Sequence, residues 1–361
     1  LEAPLKTIAI VSEDLSSPLD EGFKKASASL AVSIANLGTR VTIFTRKSQG
    51  LPLATQPLPG NKLLLGWAFA CALRQAEPDA VLYMPQSAAT PMSLVRAHFL
   101  KMQSGGKPVA VLSLQGREYS GLVRLLLRMI GPSLVLVLSR HSQGVMRSAH
   151  LTAKIVPLGV DALVFRPPDP GEKRSLRQKY GIPEGKVILH VGHISPRRNL
   201  SLLKRLLKPG RQLVVVSSTS TRQYPEVKQA LDGLPVIFLE RFIEKIEEVY
   251  QLADCYVFPT FSHFGAIEIP LSVLEAAATN LPVVTTDFGG IPDLFQGGKE
   301  LEHSGLLIAR SESEFAEKME YALMLADVAT RNLVLDLSWD RVARRIVEAI
   351  QEIIEVRSSK N

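Results

Sequence analysis

The sequence predicts an α/β protein built as two doubly wound domains, each a parallel sheet with helices on both faces. Three observations carry this. The chain has 361 residues, and domains run to roughly 100–200 residues, so two are expected. Short, uninterrupted apolar runs alternate with helix-periodic stretches through both halves, the pattern of strands buried on both faces. A proline-rich stretch, FRPPDPGEKRS (165–175), breaks the alternation and reads as a linker.

The elements follow in order. TIAIV (7–11) is a buried strand, followed by a polar loop. Phe23, Ala26, Leu30, Ile34 and Leu37 then recur at helical spacing, and Gly38 stops that helix. VTIFT (41–45) closes a strand–helix–strand unit of the length a right-handed parallel crossover needs. Helices are predicted at 62–76, 92–103 and 120–130, with strands at 80–84, 108–114 and 134–138. Beyond the linker, strands are predicted at 187–191, 212–217, 235–239, 255–258 and 282–286. Ser311-Glu312-Ser313-Glu314 forms a capping box opening another helix. From Trp339 to Glu355, Val342, Ile346, Ala349, Ile350 and Ile353 line one face of a closing amphipathic helix. The expected domains are 1–158 and 159–337, with a helix over 338–361 packing back toward the first. In doubly wound folds ligands bind beyond the carboxyl ends of the strands, so the cleft between facing domains is the expected site.

Composition narrows the function. Hydrophobic residues make up 46% and charged residues 21%, which supports two cores and excludes a disordered chain. No run of about 18 apolar residues is present; residues 122–138 come nearest, interrupted by Arg124, Arg128, Gly131 and Pro132. Cys71 and Cys255 cannot form a disulfide framework and suit a reducing cytoplasm. No secretory signal heads the chain, and Leu1-Glu2 is not a natural start. The first strand is not followed by a G-x-G-x-x-G fingerprint, which counts against a dehydrogenase. The seven histidines show no paired metal-ligand spacing, so no metal is expected.

The formal charge is +7, unevenly spread. Between Asp79 and Asp161 the single acid is Glu118, against nine bases, so residues 80–160 carry +8. This is either surface drift or the mark of an anionic partner. Within the segment, Leu122, Leu125, Leu126 and Met129 share a helical face flanked by Arg124 and Arg128. That suits an interfacial helix or a core helix with two solvated arginines. No nucleic-acid reader motif accompanies the charge, and only Phe99 and Tyr119 follow Tyr83 as aromatics, so nucleic acid is not an expected partner.

The densest chemical signal is YVFPTFSHFGAIEIPLSVLEAAATNLPVVTTDFGGIPDLF (256–295). Pro270 is placed as a first helical residue. Glu275, in the apolar run Val273–Ala278, needs a hydrogen-bond partner. Either it ties down a neighbouring loop, or Glu268 and Glu275 both accept hydroxyls of a polyol ligand. The helix start at 269–272 would meet an anion.

This stretch resembles the signature of retaining GT-B glycosyltransferases, family four in particular: two glutamates, Pro-Val-Val, then Asp-x-Gly-Gly-x-Pro. IVPLGVDALVFRP (155–167), VILHVGHISPRRNLSLL (187–203), VIFLERFIEKIEEVYQLADCYVFPT (236–260), HSGLLI (303–308) and LSWDRVARRIVEAI (337–350) match the family's landmarks in order. The amino-terminal half matches loosely, mainly through 21–45. The resemblance implies a GT-B architecture and metal-independent, retaining transfer from a nucleotide-diphosphate sugar, with no cofactor. Glu268, Arg198 and His193 become the catalytic candidates. Glu275 would hold the donor ribose, with Gly22, Ile269, Leu271 and Ser272 completing the donor site. Arg198 and His193 take the places of a basic pair that neutralises the diphosphate; His193 is fully charged only when protonated. Gln115 and Arg117 fall on the acceptor side, where the family often places a histidine. Glutamine cannot act as a base, so the leaving phosphate would take the acceptor's proton. The glutamates stand seven apart where the family has eight, and the loop from Pro259 to Glu275 is about four residues longer. A sugar, lipid-linked or other glycan acceptor is expected, with the protein cytoplasmic and peripheral on the inner face of a membrane through 80–160. A catalytically silent nucleotide-sugar-binding protein and a sugar-nucleotide epimerase are the alternatives.

Overall fold

A computed structural model describes residues 5–19, 21–48, 50–86, 88–217, 224–262 and 266–359; the opening Leu1-Glu2 lies outside them. Two compact units result. One comprises the described residues up to Leu158 and those from Trp339 onward; the other is Gly159–Ser338.

The first unit begins with Thr7–Ser12 (β1), Gly22–Asn36 (α1), Arg40–Thr45 (β2), Thr55–Pro57 (β3), Trp67–Gln75 (α2) and Ala80–Met84 (β4). It continues through Pro91–Gln103 (α3), Val109–Leu112 (β5), Gly121–Ile130 (α4), Leu134–Val137 (β6), Arg140–Ser148 (α5) and Ala153–Ile155 (β7). The second unit starts with Glu172–Lys179 (α6), Lys186–Val191 (β8), Arg211–Val216 (β9), Pro225–Gln229 (α7), Val236–Leu239 (β10), Glu247–Gln251 (α8) and Cys255–Phe258 (β11). Leu271–Ala278 (α9), Val283–Thr286 (β12), Ile291–Leu294 (α10), Lys299–His303 (α11), Leu306–Ala309 (β13) and Glu312–Ala322 (α12) complete it, and Trp339–Ser358 (α13) ends the chain in the first unit.

Both sheets are parallel. Their orders are β3-β2-β1-β4-β5-β6-β7 and β10-β9-β8-β11-β12-β13. Each reverses direction of winding at its first strand, between β1 and β4 and between β8 and β11, so each has a crevice at that switch point. Strands such as β1 (TIAIVS) and β4 are buried along their whole length, and β8 along its middle four residues, which explains why they read as continuous apolar runs. Val81, Val109, Val111 and Val135 face Phe69, Leu94, Ala97 and Leu127 of α2, α3 and α4 across one side of the first sheet. On α13, Val342, Ala343, Ile346, Ala349 and Ile350 are buried, and this helix packs along α1.

Several elements differ from expectation. The helix expected at 62–76 begins only at Trp67. Asn61 Oδ1 accepts the Leu63 and Leu65 N–H groups at 3.1 and 3.0 Å, and Leu64 has φ +59°, so a side-chain-capped turn replaces the first helical turn. Strands β3 and β7, only three residues each, and β13 were not expected. Nor was α5, where Ser139 accepts the Ser142 N–H at 3.0 Å and only Ser142 and Met146 are buried. The stretch 165–175 is not a free linker. Arg331 donates to the carbonyls of Phe165 (2.9 Å) and Ala162 (2.8 Å), and Glu172 opens α6. Ser311 caps α12 as expected, its Oγ accepting from the Glu314 N–H at 3.2 Å, but the Glu314 carboxylate accepts from the Arg310 N–H at 2.8 Å, one residue before the place a capping box would use.

One half-buried carboxylate knits the second unit. Asp254 accepts from Lys173 Nζ (2.7 Å), Arg177 Nη2 (2.6 Å) and the Val187 N–H (2.7 Å), tying α6 to the start of β8. Burial pushes its carboxyl up, but Lys173, the Val187 N–H and Arg177 together hold it below the ordinary value. A carboxyl lowered by folding stabilises above its unfolded pKa, about 4, and loses that contribution as pH falls through the folded value. Asp254→Asn is therefore expected to cost about 2 kcal/mol at neutral pH and to flatten the acid limb of the melting-temperature profile. Circular-dichroism melts across that range check this; parallel acid limbs would refute it.

Candidate active site

The carboxyl ends of β8, β9 and β11 gather a set of buried polar groups. His190, the penultimate residue of β8, is fully buried, and its Nδ1 lies 3.0 Å from the Val257 carbonyl. A carbonyl only accepts, so Nδ1 carries the proton and Nε2 is left with its lone pair. Burial, then the nearby Arg198 charge, depress this imidazole to about 3, so it is neutral. Gly192 follows β8 with φ +156°. A Cβ there would stand 3.3 Å from both His190 Nε2 and Arg198 Nη1, so only glycine leaves this approach open.

Arg198 ends the single 3₁₀ turn Pro196–Arg198 and is 8% exposed. Its guanidinium carbon lies 5.3 Å from the Phe258 ring centroid, a cation–π contact. Among the described residues its Nε has no hydrogen-bond partner and no carboxylate pairs with it. Burial pulls it down to about 10, which still leaves it charged at neutral pH. Ser217 Oγ and Thr260 Oγ1, just past β9 and β11, are also buried without partners among the described residues. Orphaned buried polar groups are uncommon and each is costly. They follow strands neighbouring β8, at the sheet edge that also carries a buried cation, an arrangement suited to a polar, anionic ligand.

The two glutamates are held by different means. Glu268 precedes α9 and is 5% exposed. Its backbone is clamped by the Asp287-Phe288-Gly289-Gly290 turn. The Gly290 N–H donates to the Glu268 carbonyl at 2.8 Å, and a Cβ on Gly289 (φ +56°) would lie 2.8 Å from Glu268 Cα and collide with its carbonyl oxygen. The glycine pair thus sets where Glu268 stands despite the longer loop, of which residues 263–265 lie outside the described residues. Glu275 sits inside α9, buried, and accepts from the Tyr250 hydroxyl at 2.7 Å. Burial and this carboxylate push the Tyr250 phenol well above its ordinary range, so it stays a donor. Tyr256 donates to Ser272 Oγ at 2.6 Å, fixing the first turn of α9 against β11. Pro270 is extended (ψ 122°) and caps α9, so Leu271 is the first helical residue. Ile269 and Leu271 are buried, and only Ser272 among these three is half-exposed. The structure therefore brings Arg198, His193, Glu268, Ile269, Leu271, Ser272 and Glu275 to the carboxyl edge of one sheet.

Gly22, Gln115 and Arg117 belong to the first unit. Gly22 opens α1; Gln115 follows β5, bridging Ala88, with its carbonyl accepting from Ser113 Oγ at 3.1 Å; Arg117 is exposed. The sequence reading missed His190, Tyr250, Tyr256, Ser217 and Thr260. A histidine inside an apolar strand and hydroxyls at strand ends were the available signals.

Residues 185–324 match the family described as Glycosyl transferases group 1. The sulfoquinovosyl transferase SQD2 of Arabidopsis thaliana is 26% identical over 179 residues, 49% of this chain and 34% of that protein. The chain's match spans about a third to a half of the length of such relatives. Among solved structures, a glycosyltransferase from Rickettsia africae superposes with a TM-score of 0.79 at 14% identity, covering 97% of this chain and 99% of that one. The Anabaena protein Alr3699/HepE in complex with UDP-glucose gives 0.70 at 18% identity, covering 98% and 99%. The fold is thus the two-sheet GT-B fold, and within its second unit residues 185–324 are similar to the glycosyl transferases of group 1.

Proposed function

We propose that the chain transfers a sugar from a nucleotide-diphosphate donor to an acceptor hydroxyl, with retention of configuration and without a metal. The carrying observation is Arg198: a buried guanidinium, charged at neutral pH and lacking a carboxylate partner among the described residues, beside a glycine that keeps its approach open. As the sugar–phosphate bond breaks, negative charge grows on the departing diphosphate, and a fixed cation in a water-poor site stabilises that charge more than the ground state. His193 adds to this when protonated. Glu268 accepts donor-sugar hydroxyls, and Glu275, oriented by Tyr250, accepts those of the ribose. With Gln115 unable to act as a base, a leaving-phosphate oxygen takes the acceptor proton on the face the phosphate departs from, which yields retention. The similarity to a protein solved with UDP-glucose supports the donor class. The first unit supplies the acceptor side through Gln115 and Arg117, and its basic stretch meets an anionic membrane that presents a lipid-linked acceptor.

The test is a melting-temperature screen against nucleoside diphosphates and their sugars, followed by a release assay on the best hit. One nucleotide series should raise the melting temperature in proportion to the logarithm of saturation. Wild type should release the nucleoside diphosphate in the presence of chelator, and Glu268→Gln should lose at least about a hundredfold in rate. Binding with no turnover in wild type would identify a silent binder, and a free epimerised sugar nucleotide would identify an epimerase.

A further inference from the structure

Helix α4 leaves a large apolar face uncovered. Leu122, Leu125, Leu126 and Met129 are 70, 61, 51 and 79% exposed, while only Leu127 is buried, with Val123 packed partly beneath. At 100° per residue the four fall within one third of the helix circumference, well away from the direction of Leu127. This arrangement is fixed and not a loose end. The Gly131 N–H closes the helix on the Leu127 carbonyl at 2.8 Å. A Cβ on Gly131 would meet that carbonyl oxygen at 2.7 Å and strike Leu151. Arg124 Nε donates to the Tyr119 carbonyl at 3.0 Å, and Tyr119 reaches across to the Ala89 carbonyl. The helix is therefore pinned from beneath, with its leucines turned outward.

Charge selects the occupant. Arg128 is exposed and borders the strip on the Leu125 side, with Arg124 beyond it and exposed Arg117 just before the helix. Glu118 is the only acid between Asp79 and Asp161. Among the described residues, Arg96 pairs with Glu13 at 2.5 Å and Lys154 with Glu352; the arginines beside the strip are in neither pair. A protein partner would need a matching hydrophobic groove with an acidic rim. A bilayer of anionic lipid supplies both terms at once: acyl chains for the leucines and headgroup phosphates for the arginines.

We infer that the outer face of α4 is the membrane-docking surface of this chain, inserting Leu122, Leu125, Leu126 and Met129 among anionic lipids with Arg124 and Arg128 at the headgroups. The inference rests on the membrane part of the reading above and not on sugar transfer.

The experiment is sedimentation of the full chain with vesicles of neutral phosphatidylcholine and of phosphatidylcholine mixed with phosphatidylglycerol. The variants are Leu125→Gln/Met129→Gln and Arg124→Gln/Arg128→Gln, each first shown to melt with wild type. Wild type should pellet with the anionic vesicles and weakly with the neutral ones. Both double variants should lose about tenfold or more in partitioning, and high salt should weaken wild-type binding. If wild type pellets but the α4 variants pellet equally, this helix is not the docking face, while membrane association stands. If wild type ignores both vesicle types, or partitions equally to them, the membrane reading itself fails. A concentration-dependent dimer in sedimentation velocity, abolished by Leu125→Gln/Met129→Gln in a chain that binds no vesicle, would overturn the proposal in favour of a second copy.

Discussion

Arg198→Ala should lower the transfer rate by about two to three orders of magnitude, some 3–4 kcal/mol of lost transition-state stabilisation, while leaving the protein at least as stable as wild type. The two halves of that expectation come from one geometry. The side chain is buried, its Nε is unbonded, and the compensation on view is the face of Phe258. Burying an uncompensated cation costs stability, so its removal is neutral or stabilising. What it gives up is the charge that meets the diphosphate. Arg198→Lys restores the charge but not the planar fork, and should recover only part of the rate. Steady-state kinetics beside thermal melts separate these effects. A variant that lost stability and activity together would mean that Arg198 holds the loop and has no part in the chemistry.

Gly289→Ala is expected to show the opposite pairing: a loss of about 2–4 kcal/mol of stability, with rate falling through displacement of Glu268. At φ +56° any side chain is strained, and the added methyl would collide with the Glu268 backbone. That backbone must move or the turn must open, and in either case the Gly290 N–H bond to the Glu268 carbonyl is disturbed. Denaturant unfolding gives the stability term. A fall in kcat larger than the rise in KM would place the damage at the reacting sugar. Gly289→Ala with wild-type unfolding and kinetics would mean that the turn yields and does not set Glu268.

These two residues also show how much the sequence discloses. Most central strands were legible because burial on both faces makes them uninterrupted apolar runs, and α1, α3 and α13 were close because apolar periodicity runs along them, with Gly38 just beyond α1. The elements that escaped are those whose signal lies elsewhere in the chain. Strand β3 is Thr-Gln-Pro, polar and short, and exists only because β2 offers it a ladder. Helix α5 holds Gly144 and one large buried side chain, so no stripe announces it. The turn at 62–66 is decided by the side chain of Asn61, which competes for backbone groups a helix would use. At the site, Arg198 and the glutamates were found through the likeness of their motifs. Tyr250 was not, since it lies 25 residues from Glu275 and is brought to it by the packing of α8 on α9. His190 stood in plain view within VILHV, but whether it is charged, neutral, donor or acceptor depends on Val257 and Arg198, which the sequence does not place beside it.

The position of α13 has a consequence for how the chain is made. The second unit is one unbroken stretch, Gly159–Ser338, whereas the first needs residues from both ends. During synthesis the earlier-made sheet waits: the face of α1 that Val342, Ala343, Ile346, Ala349 and Ile350 are to cover stays bare until 339–358 have been added. Of these two units the one begun earlier is therefore completed later, and the other closes its own core ahead of it, against the usual order in which domains finish from the amino terminus.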